Sequence, residues 1–278
     1  MKVTPLAFES MGVRSMATHV EAGGCRITID PSAALGPLRY GLPPHQMELD
    51  ALAVAKKRIH DYASKSDILA ITHYHYDHHD PGESFYNGKK VLAKDICSMI
   101  NKSQAERGRY FAQQLPDSRS LEYADGRSFS FGDVKIEFSP PAPHGPPGIR
   151  LGYVIMCSIS HGNDVLVHAS DAQGPVDDAA RDWIIDSKPT LLVMDGPPTY
   201  FLGYKFSQAN LMKAECNLLE ILDETGCMLI LEHHLLRDLK HRERMPRIYS
   251  TGIPRTAAEY VGVEDNLLEA RRKELWGK

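Results

Sequence analysis

Four histidines and two aspartates lie within the ten residues ITHYHYDHHD, at positions 71–80. The whole chain of 278 residues has 13 histidines, so this stretch holds a local excess of them. Side chains alternate along an extended segment, so His73 and His75 would face the same side and could hold one metal ion. Asp77 and His78 follow at a chain turn, which we expect to begin a helix, and would point toward a second ion. Imidazole and carboxylate ligands without thiolate suit zinc and also iron or manganese.

The spacing of these residues separates the motif from scattered histidines. A lone histidine beside an apolar run is usually a surface residue or a hydrogen-bonded core residue. A six-residue HxHxDH pattern is expected by chance in only about one of several hundred chains of this composition. The pattern therefore favours metal binding.

Short apolar runs predict the strands that position the candidate ligands. SDILAIT at 66–72 has the length and flanks of a buried strand, and the histidine cluster begins at its end. Similar runs, GDVKIEFS, DVLVHAS and CMLILE, end shortly before His144, Asp171 and His233. Residues just beyond the ends of neighbouring strands lie at one edge of a sheet. We therefore expect these side chains to converge with the HYHYDH segment.

The remaining patterns predict further strands and the helices between them. Strands are expected within 3–30 and at 91–95, 153–160, 164–171 and 191–195. Helices are expected at 47–62, from 96 toward 115, at 208–225 and over most of 257–276. The last helix would pack through a stripe of four apolar residues, namely Leu267, Leu268, Leu275 and Trp276.

Composition limits the classes of protein that this chain can belong to. It has 42% hydrophobic and 24% charged residues, which is ordinary for a globular protein. The 32 basic and 36 acidic residues give a net charge of −4, too small a bias to imply a polyanionic partner or an anionic membrane surface. No linker, repeat or low-complexity tract is visible, so we expect a single domain over residues 1–278.

Cysteine usage and hydropathy predict the compartment. The five cysteines are scattered, odd in number and without CxxC spacing, so we expect reduced thiols. The N-terminus has no apolar signal region, and no window approaches the eighteen or so apolar residues of a membrane span. We therefore expect a soluble, cytoplasmic protein without membrane contact. A homo-oligomer is compatible with the sequence.

HYHYDH at 73–78 resembles the HxHxDH signature of the metallo-β-lactamase-fold hydrolases. The opening strands with ITIDP, the histidine of PAPHG, the aspartate of HASDAQG and the histidine after LILE resemble that family in the same order. EHHLLRD, DGPPTY and LLEARRKELW resemble a mainly archaeal branch of it. The resemblance spans essentially the whole chain and implies an α/β fold, a four-layer αββα sandwich of the metallo-β-lactamase type.

The resemblance also implies two divalent metal ions, zinc in our expectation, with iron or manganese as alternatives. Three residues would hold each ion and one carboxylate would bridge them: His73, His75 and His144 at one ion, Asp77, His78 and His233 at the other, and Asp171 as the bridge. The last ligand is ambiguous, because His234 is adjacent to His233. We prefer His233, which follows the apolar run LIL by one residue.

Five further residues are expected to support the ligands or to face the substrate: His79, His234, Asp195, Tyr200 and Tyr204. Four of them have a simpler explanation. An exposed turn would account for His79, the end of a strand for Asp195, and ordinary packing for either tyrosine.

The metal pair implies hydrolysis. Such a pair lowers the pKa of a bound water, so a bridging hydroxide could act near neutral pH, with Asp77 as both a ligand and its orienting group. The expected substrate is a small ester, lactone or phosphodiester.

Three other functions are alternatives for this chain. The first is a nuclease acting on RNA or DNA, for which RDLKHRERMPR would supply Arg237, Lys240, Arg242, Arg244 and Arg247; such a run is more often a solvated helix face, and the net charge argues against it. The second is non-enzymatic metal binding, but structural zinc sites usually close their coordination with four ligands. The third is a redox role with two irons and a flavin partner, for which the chain shows no flavin-binding extension.

Overall fold

Two large β-sheets form the centre of the molecule. The computed structural model describes residues 1–278, apart from the side chain of Ser118. The first sheet has six strands, which follow one another both in the chain and in the sheet. They are β1 (Lys2–Phe8), β2 (Met16–Ala22), β3 (Cys25–Ile29), β4 (Ile68–Ile71), β5 (Lys90–Ala93) and β6 (Leu121–Tyr123).

The second half of the chain supplies the other sheet and a two-stranded ribbon. Its strands are β7 (Ser128–Phe131), β8 (Val134–Phe138), β9 (Ala142–Pro143), β10 (Tyr153–Val154), β11 (Cys157–His161), β12 (Asp164–His168), β13 (Leu191–Asp195), β14 (Met228–Glu232) and β15 (Pro254–Arg255). β9 pairs with β10, and the others form a seven-stranded sheet in the order β15-β14-β13-β12-β11-β8-β7.

Four long helices and several short ones complete the fold. The α-helices are α1 (Gln46–Ala63), α2 (Lys102–Gln114), α3 (Asp178–Asp186), α4 (Gln208–Thr225), α5 (His241–Arg244), α6 (Pro246–Tyr249), α7 (Ala257–Tyr260) and α8 (Arg272–Leu275). Segments of 3₁₀ helix lie at Glu9–Met11, Ser84–Tyr86, Ser118–Ser120, Thr199–Phe201 and His233–Arg237. Within the described chain, no helix combines the length and the apolar character needed to cross a membrane.

Strand β4 shows how the layers arise from the sequence. Its run ILAI is buried on both faces. Ile68 and Ala70 belong to the core between the two sheets, whereas Leu69 and Ile71 belong to the core beneath α1 and α2. Two covered faces explain why the run is continuously apolar rather than alternating.

Strand β13 repeats this arrangement in the second sheet. Leu191 and Val193 face the core between the sheets, and Leu192 and Met194 join the core formed with α3 and α4. The layers are therefore helix, sheet, sheet and helix, and the predicted αββα sandwich is confirmed.

The parallel parts of the two sheets meet at their carboxyl ends. β3, β4 and β5 run parallel in the first sheet, and β12, β13 and β14 run parallel in the second. The hydroxyl of Thr72, just beyond β4, donates to Asp30 Oδ2 at 2.7 Å and lies 2.6 Å from the Ser170 hydroxyl, just beyond β12. Residues that follow these strands therefore come together at one seam.

The predicted C-terminal helix is wrong over most of its length. Helix α7 ends at Tyr260, Gly262 has a φ of +78°, and the next helix begins only at Arg272. Of the predicted stripe only Leu268 is fully buried, and Trp276 is 42% exposed. Buried polar side chains replace the stripe as anchors, because the Arg272 guanidinium donates to both oxygens of Glu48 in α1.

Two other helix boundaries also differ from the prediction. Asp77 and His78 begin no helix: they lie in a single turn in which the His78 and His79 amides donate to the His75 carbonyl at 2.9 and 3.1 Å. Helix α2 begins at Lys102 rather than near residue 96, because the Asn101 side chain caps it by accepting from the Gln104 amide.

A buried ion pair holds the C-terminal segment against the opening loops. Arg14 donates to both oxygens of Glu269 at 2.6 Å, and the Glu269 side chain is only 8% exposed. Burial alone would raise the pKa of Glu269, but Arg14 and Arg237 outweigh it and lower that pKa from 4.5 to about 2. The ion pair therefore stabilises the folded state at pH values above 4.5, the ordinary pKa of a glutamate, and this contribution is lost as the pH falls toward 2.

We expect Glu269→Gln to lower the free energy of unfolding at pH 6 by about 3 kcal/mol, because the variant loses a carboxylate whose pKa is depressed by folding. The difference from wild type should shrink progressively between pH 5 and about 2. Denaturant unfolding of both proteins across this pH range measures it.

Glu274→Gln is the matched control. Glu274 pairs with Arg271 at the surface, where it is 62% exposed, so its loss should leave the free energy of unfolding nearly unchanged. An equal effect of Glu269→Gln at pH 6 and pH 3 would contradict the proposed linkage.

Candidate metal centre

Three histidines converge at the seam with the spacing of ligands to one ion. His73 Nε2 lies 3.0 Å from His75 Nδ1, which lies 3.2 Å from His144 Nε2. Asp171 Oδ2 lies 3.0 Å from the same His144 nitrogen. Atoms that hold a tetrahedral zinc ion at 2.0–2.1 Å are about 3.3 Å apart, so this group fits such an ion.

A second group lies on the other side of Asp171. Asp77, His78 and His233 offer ligand atoms that all lie within 4.8 Å of one another. His78 Nε2 is 3.2 Å from Asp171 Oδ1, and His233 Nε2 is 3.5 Å from Asp171 Oδ2. The two oxygens of Asp171 thus reach both groups, as a bridging carboxylate requires.

Two buried atoms lack the hydrogen bonds that their burial demands. In the described chain, His78 Nε2 and Asp171 Oδ1 have no hydrogen-bond partner, although they are only 3.2 Å apart. Buried polar atoms nearly always have a hydrogen-bond partner. Both of these atoms are candidate ligand atoms, so a bound cation would supply the missing partner. The residues present therefore fit a divalent ion.

The backbone is strained at three positions beside the candidate ligands. Asp30, Ser170 and His233 are non-glycine residues with φ values of 49°, 51° and 58°. They follow β3, β12 and β14 respectively, at the seam. Left-handed conformations of such residues cost about 1–3 kcal/mol each and persist only where the surroundings enforce them.

A tight loop fixes His144. Its amide donates to the Gly152 carbonyl at 2.9 Å, next to the β9–β10 ribbon. Gly145 has a φ of +103°, and a Cβ atom there would lie 2.3 Å from Gln173 Oε1. Glycine is therefore required directly after this candidate ligand.

Carboxylates orient the imidazoles of the second group. His78 Nδ1 lies 2.8 Å from Asp30 Oδ2, and His233 Nδ1 lies 2.8 Å from Glu9 Oε2. Such partners fix the ring. They leave His78 Nε2 without a partner, whereas His233 Nε2 lies 3.0 Å from Arg237 Nη2. Sequence reasoning missed both carboxylates. Asp30 could have been found, because it directly follows the strand ITI, whereas nothing near Glu9 marks it.

Burial sets the charge state of the first group. It lowers the pKa of His73 well below its ordinary value, and burial together with His144 lowers that of His75 to about 3. Both rings are therefore neutral near pH 7 and offer lone pairs. Burial would also lower the pKa of His78, but Asp171 and Asp30 outweigh it and raise that pKa well above its ordinary value.

Three of the five supporting residues lie against the centre. His79 Nδ1 donates to the His75 carbonyl at 3.0 Å, so it holds the backbone of a candidate ligand. Asp195 accepts from the amide of His234 and pairs with its Nδ1, both at 2.8 Å. The His234 ring also lies close enough to offer a ligand atom beside Asp171 and His233.

The two tyrosines are placed differently. Tyr200 lines a cavity beside the centre, and burial raises its pKa, which keeps its hydroxyl protonated. Tyr204 is 80% exposed and does not line that cavity. The structure therefore does not bring Tyr204 to the candidate site.

The cavity has a volume of about 880 Å³. His234 and Arg237 line it, and Arg237 Nη2 lies 3.0 Å from His233 Nε2, so the cavity reaches the metal centre. Arg237 is only 4% exposed and also donates to Glu9. The sequence placed this arginine in a basic surface run, and nothing local distinguished it from its neighbours.

We expect the purified wild-type protein to bind two divalent ions per chain and Asp171→Ala to lose affinity for both, because its oxygens face both groups. Elemental analysis after dialysis measures the content, and circular dichroism checks the fold.

His161→Ala is the control, since His161 pairs with Asp133 at the surface and should leave the metal content unchanged. A wild-type content well below one ion per chain would refute the dinuclear assignment.

Comparisons with known proteins agree with this architecture. No protein-family model matches the chain. The isothiocyanate hydrolase from Delia radicum gut bacteria superposes with a TM-score of 0.56 at 15% identity, covering 88% of this chain and 94% of that one. The metallo-β-lactamase fold protein YhfI from Bacillus subtilis gives a TM-score of 0.49 at 15% identity, over 83% and 84%. The chain therefore shares its αββα fold with the isothiocyanate hydrolase, in agreement with the fold that the HxHxDH resemblance implied.

A relative by sequence covers the whole molecule. A UPF0282 protein from Methanopyrus kandleri is 44% identical over 293 residues, an alignment that covers 100% of both proteins. At this identity and coverage, the chain belongs to the UPF0282 family.

Proposed function

We propose that the chain is a metal-dependent hydrolase of a small-molecule ester, lactone or phosphodiester. The observation that carries this proposal is the pair of ligand groups that share Asp171 beside a cavity of about 880 Å³. Cavities of about 300–1,000 Å³ are typical for small ligands. A site for metal storage has no need of such a cavity.

The two groups would hold a pair of divalent ions, zinc in our proposal. Such ions supply a hydroxide near neutral pH and polarise the oxygen under attack. Asp77 would orient the attacking water, because its side chain is 17% exposed while that of Asp171 is only 1% exposed. Of these two carboxylates, Asp77 is the one that solvent reaches.

His234 would bind the substrate. Burial and the neighbouring Arg237 lower its pKa, so the ring is neutral near pH 7. If Nδ1 donates to Asp195, the lone pair of Nε2 is left to accept a proton or hydrogen bond. His233 remains the proposed ligand, because its Nε2 lies near both Asp77 and Asp171.

The nuclease alternative receives less support. In the basic run, Arg242 pairs with Glu259 at 2.9 Å, Arg244 pairs with Asp238 at 2.7 Å, and Arg237 is buried. Arginines neutralised in this way offer little charge to a phosphate backbone.

The test is a panel of lactones, thioesters, phosphodiesters, β-lactams and short RNAs, assayed with the zinc, manganese and iron forms. We expect turnover of a small substrate, and we expect Asp77→Ala to reduce kcat by at least about 100-fold, as loss of a group that positions a proton-transfer partner does. Far-UV circular dichroism of the variant should be unchanged.

Asp133→Ala removes a 75% exposed carboxylate and should leave turnover unchanged. Activity confined to RNA would reverse the choice between small molecule and nucleic acid, and unchanged turnover in Asp77→Ala would exclude its proposed role.

A further inference from the structure

The cavity beside the metal centre is strongly cationic in a protein of net charge −4. Five of the residues that line it are basic, and none of its described lining residues is acidic. The basic residues are Arg14, Arg39, Arg150, Lys205 and Arg237. This concentration of one sign of charge points to an anionic ligand.

Two of these cations are already neutralised. Arg14 pairs with Glu269 at 2.6 Å, and Arg237 pairs with Glu9. The other three, Arg39, Arg150 and Lys205, line the cavity with no carboxylate partner in the described part of the chain. These three therefore carry the charge that a ligand would meet.

Arg39 is the best positioned of the three. One of its terminal nitrogens, Nη2, donates to the Arg237 carbonyl at 2.7 Å, which ties it to the segment that follows His233. Its guanidinium carbon lies 4.7 Å from the ring centre of Tyr40 and 4.4 Å from that of Tyr200. These contacts hold the side chain in place before any ligand binds.

One donor of Arg39 is left unused. Its Nε atom is buried and has no hydrogen-bond partner among the described residues. Stacking on tyrosine rings uses the faces of a guanidinium and leaves the N–H groups at its edge, the geometry that recognises carboxylate and phosphate.

Lys205 and Arg150 differ from Arg39 in exposure. Both are exposed, and the Lys205 ammonium lies 5.2 Å from the ring centre of Phe201. Exposed cations attract an anionic ligand from solution and contribute less to its affinity than a buried donor does.

We propose that the cavity binds a small anionic substrate, and that Arg39 holds a phosphate or carboxylate group of this substrate apart from the bond that is cleaved. The inference rests on the proposed hydrolase function and narrows its substrate class. Arg39 acts as a specificity residue: the anion selects the molecule, and the metal centre breaks a different part of it.

The test is calorimetric binding of three probes to the full-length, zinc-loaded protein: phenyl phosphate, benzoate and the neutral benzamide. We expect both anions to bind more tightly than benzamide. Arg39→Met should weaken binding of at least one anion about tenfold or more, because a charge-assisted hydrogen bond is lost, and should leave benzamide unaffected. The anion that loses more affinity identifies the group that Arg39 recognises.

Two further variants test whether a loss of anion binding is specific to Arg39, rather than an effect of altered folding or of anions that bind directly to zinc. Lys205→Met alters an exposed side chain and should weaken anion binding about threefold. Arg255→Met removes an exposed arginine of β15 that does not line the cavity, and should change nothing. The metal content of all variants should equal that of wild type.

Equal affinity for benzamide and the anions, or equal anion affinity in Arg39→Met and Arg255→Met, would overturn the inference. Hydrolysis of neutral esters without anion selectivity would reject this inference and keep the proposed function. Selective anion binding without hydrolysis of any substrate would reject the proposed function and keep the anion site.

Discussion

The buried charge of Asp171 is the constraint on which the rest of the site depends. Its side chain is 1% exposed, and nitrogens of four histidines lie 3.0–3.6 Å from its oxygens. A carboxylate removed from water is costly unless it is paired with positive charge. Neutral rings such as His73 and His75 cannot supply that charge. Divalent cations between the ligands would supply that charge, and so would protonated His78 and His233, whose pKa values the neighbouring carboxylates raise. The strained backbone at Asp30, Ser170 and His233 lies at this same seam.

The candidate ligands could be found from the sequence because each follows a strand. HYHYDH is contiguous and follows the apolar run of β4, and the same rule located His144, Asp171 and His233. The same rule does not predict the carboxylates that orient these ligands. Glu9 meets His233 across 224 positions of sequence, in a 3₁₀ segment whose pattern carries no sign of that contact. Pairings of this kind depend on the packed fold, which local spacing does not encode.

The fold could be predicted for strands that are buried on both faces. It could not be predicted for segments whose path is determined by polar contacts. Strands such as β4 and β13 must be continuously apolar because both of their faces are covered, and this is visible in sequence. The segment after Tyr260 has helical apolar spacing, yet tertiary contacts determine its path: the Asn266 amide donates to the Ser10 carbonyl, and Glu269 and Arg272 pair with distant charges. Such contacts override weak helical propensity.

Charged side chains are clustered locally in this protein, and for this reason its net charge did not indicate the cationic cavity. Within one basic run, Arg242 and Arg244 are paired at the surface while Arg237 turns inward to His233. The cationic cavity gathers Arg39, Arg150 and Lys205 from three segments far apart in the chain. The sheets fix the candidate ligands at their strand ends, whereas loops supply the groups that would select a substrate. Loops can change without disturbing the strands, so a motif on the strands specifies the chemistry and leaves the substrate to be argued from the cavity.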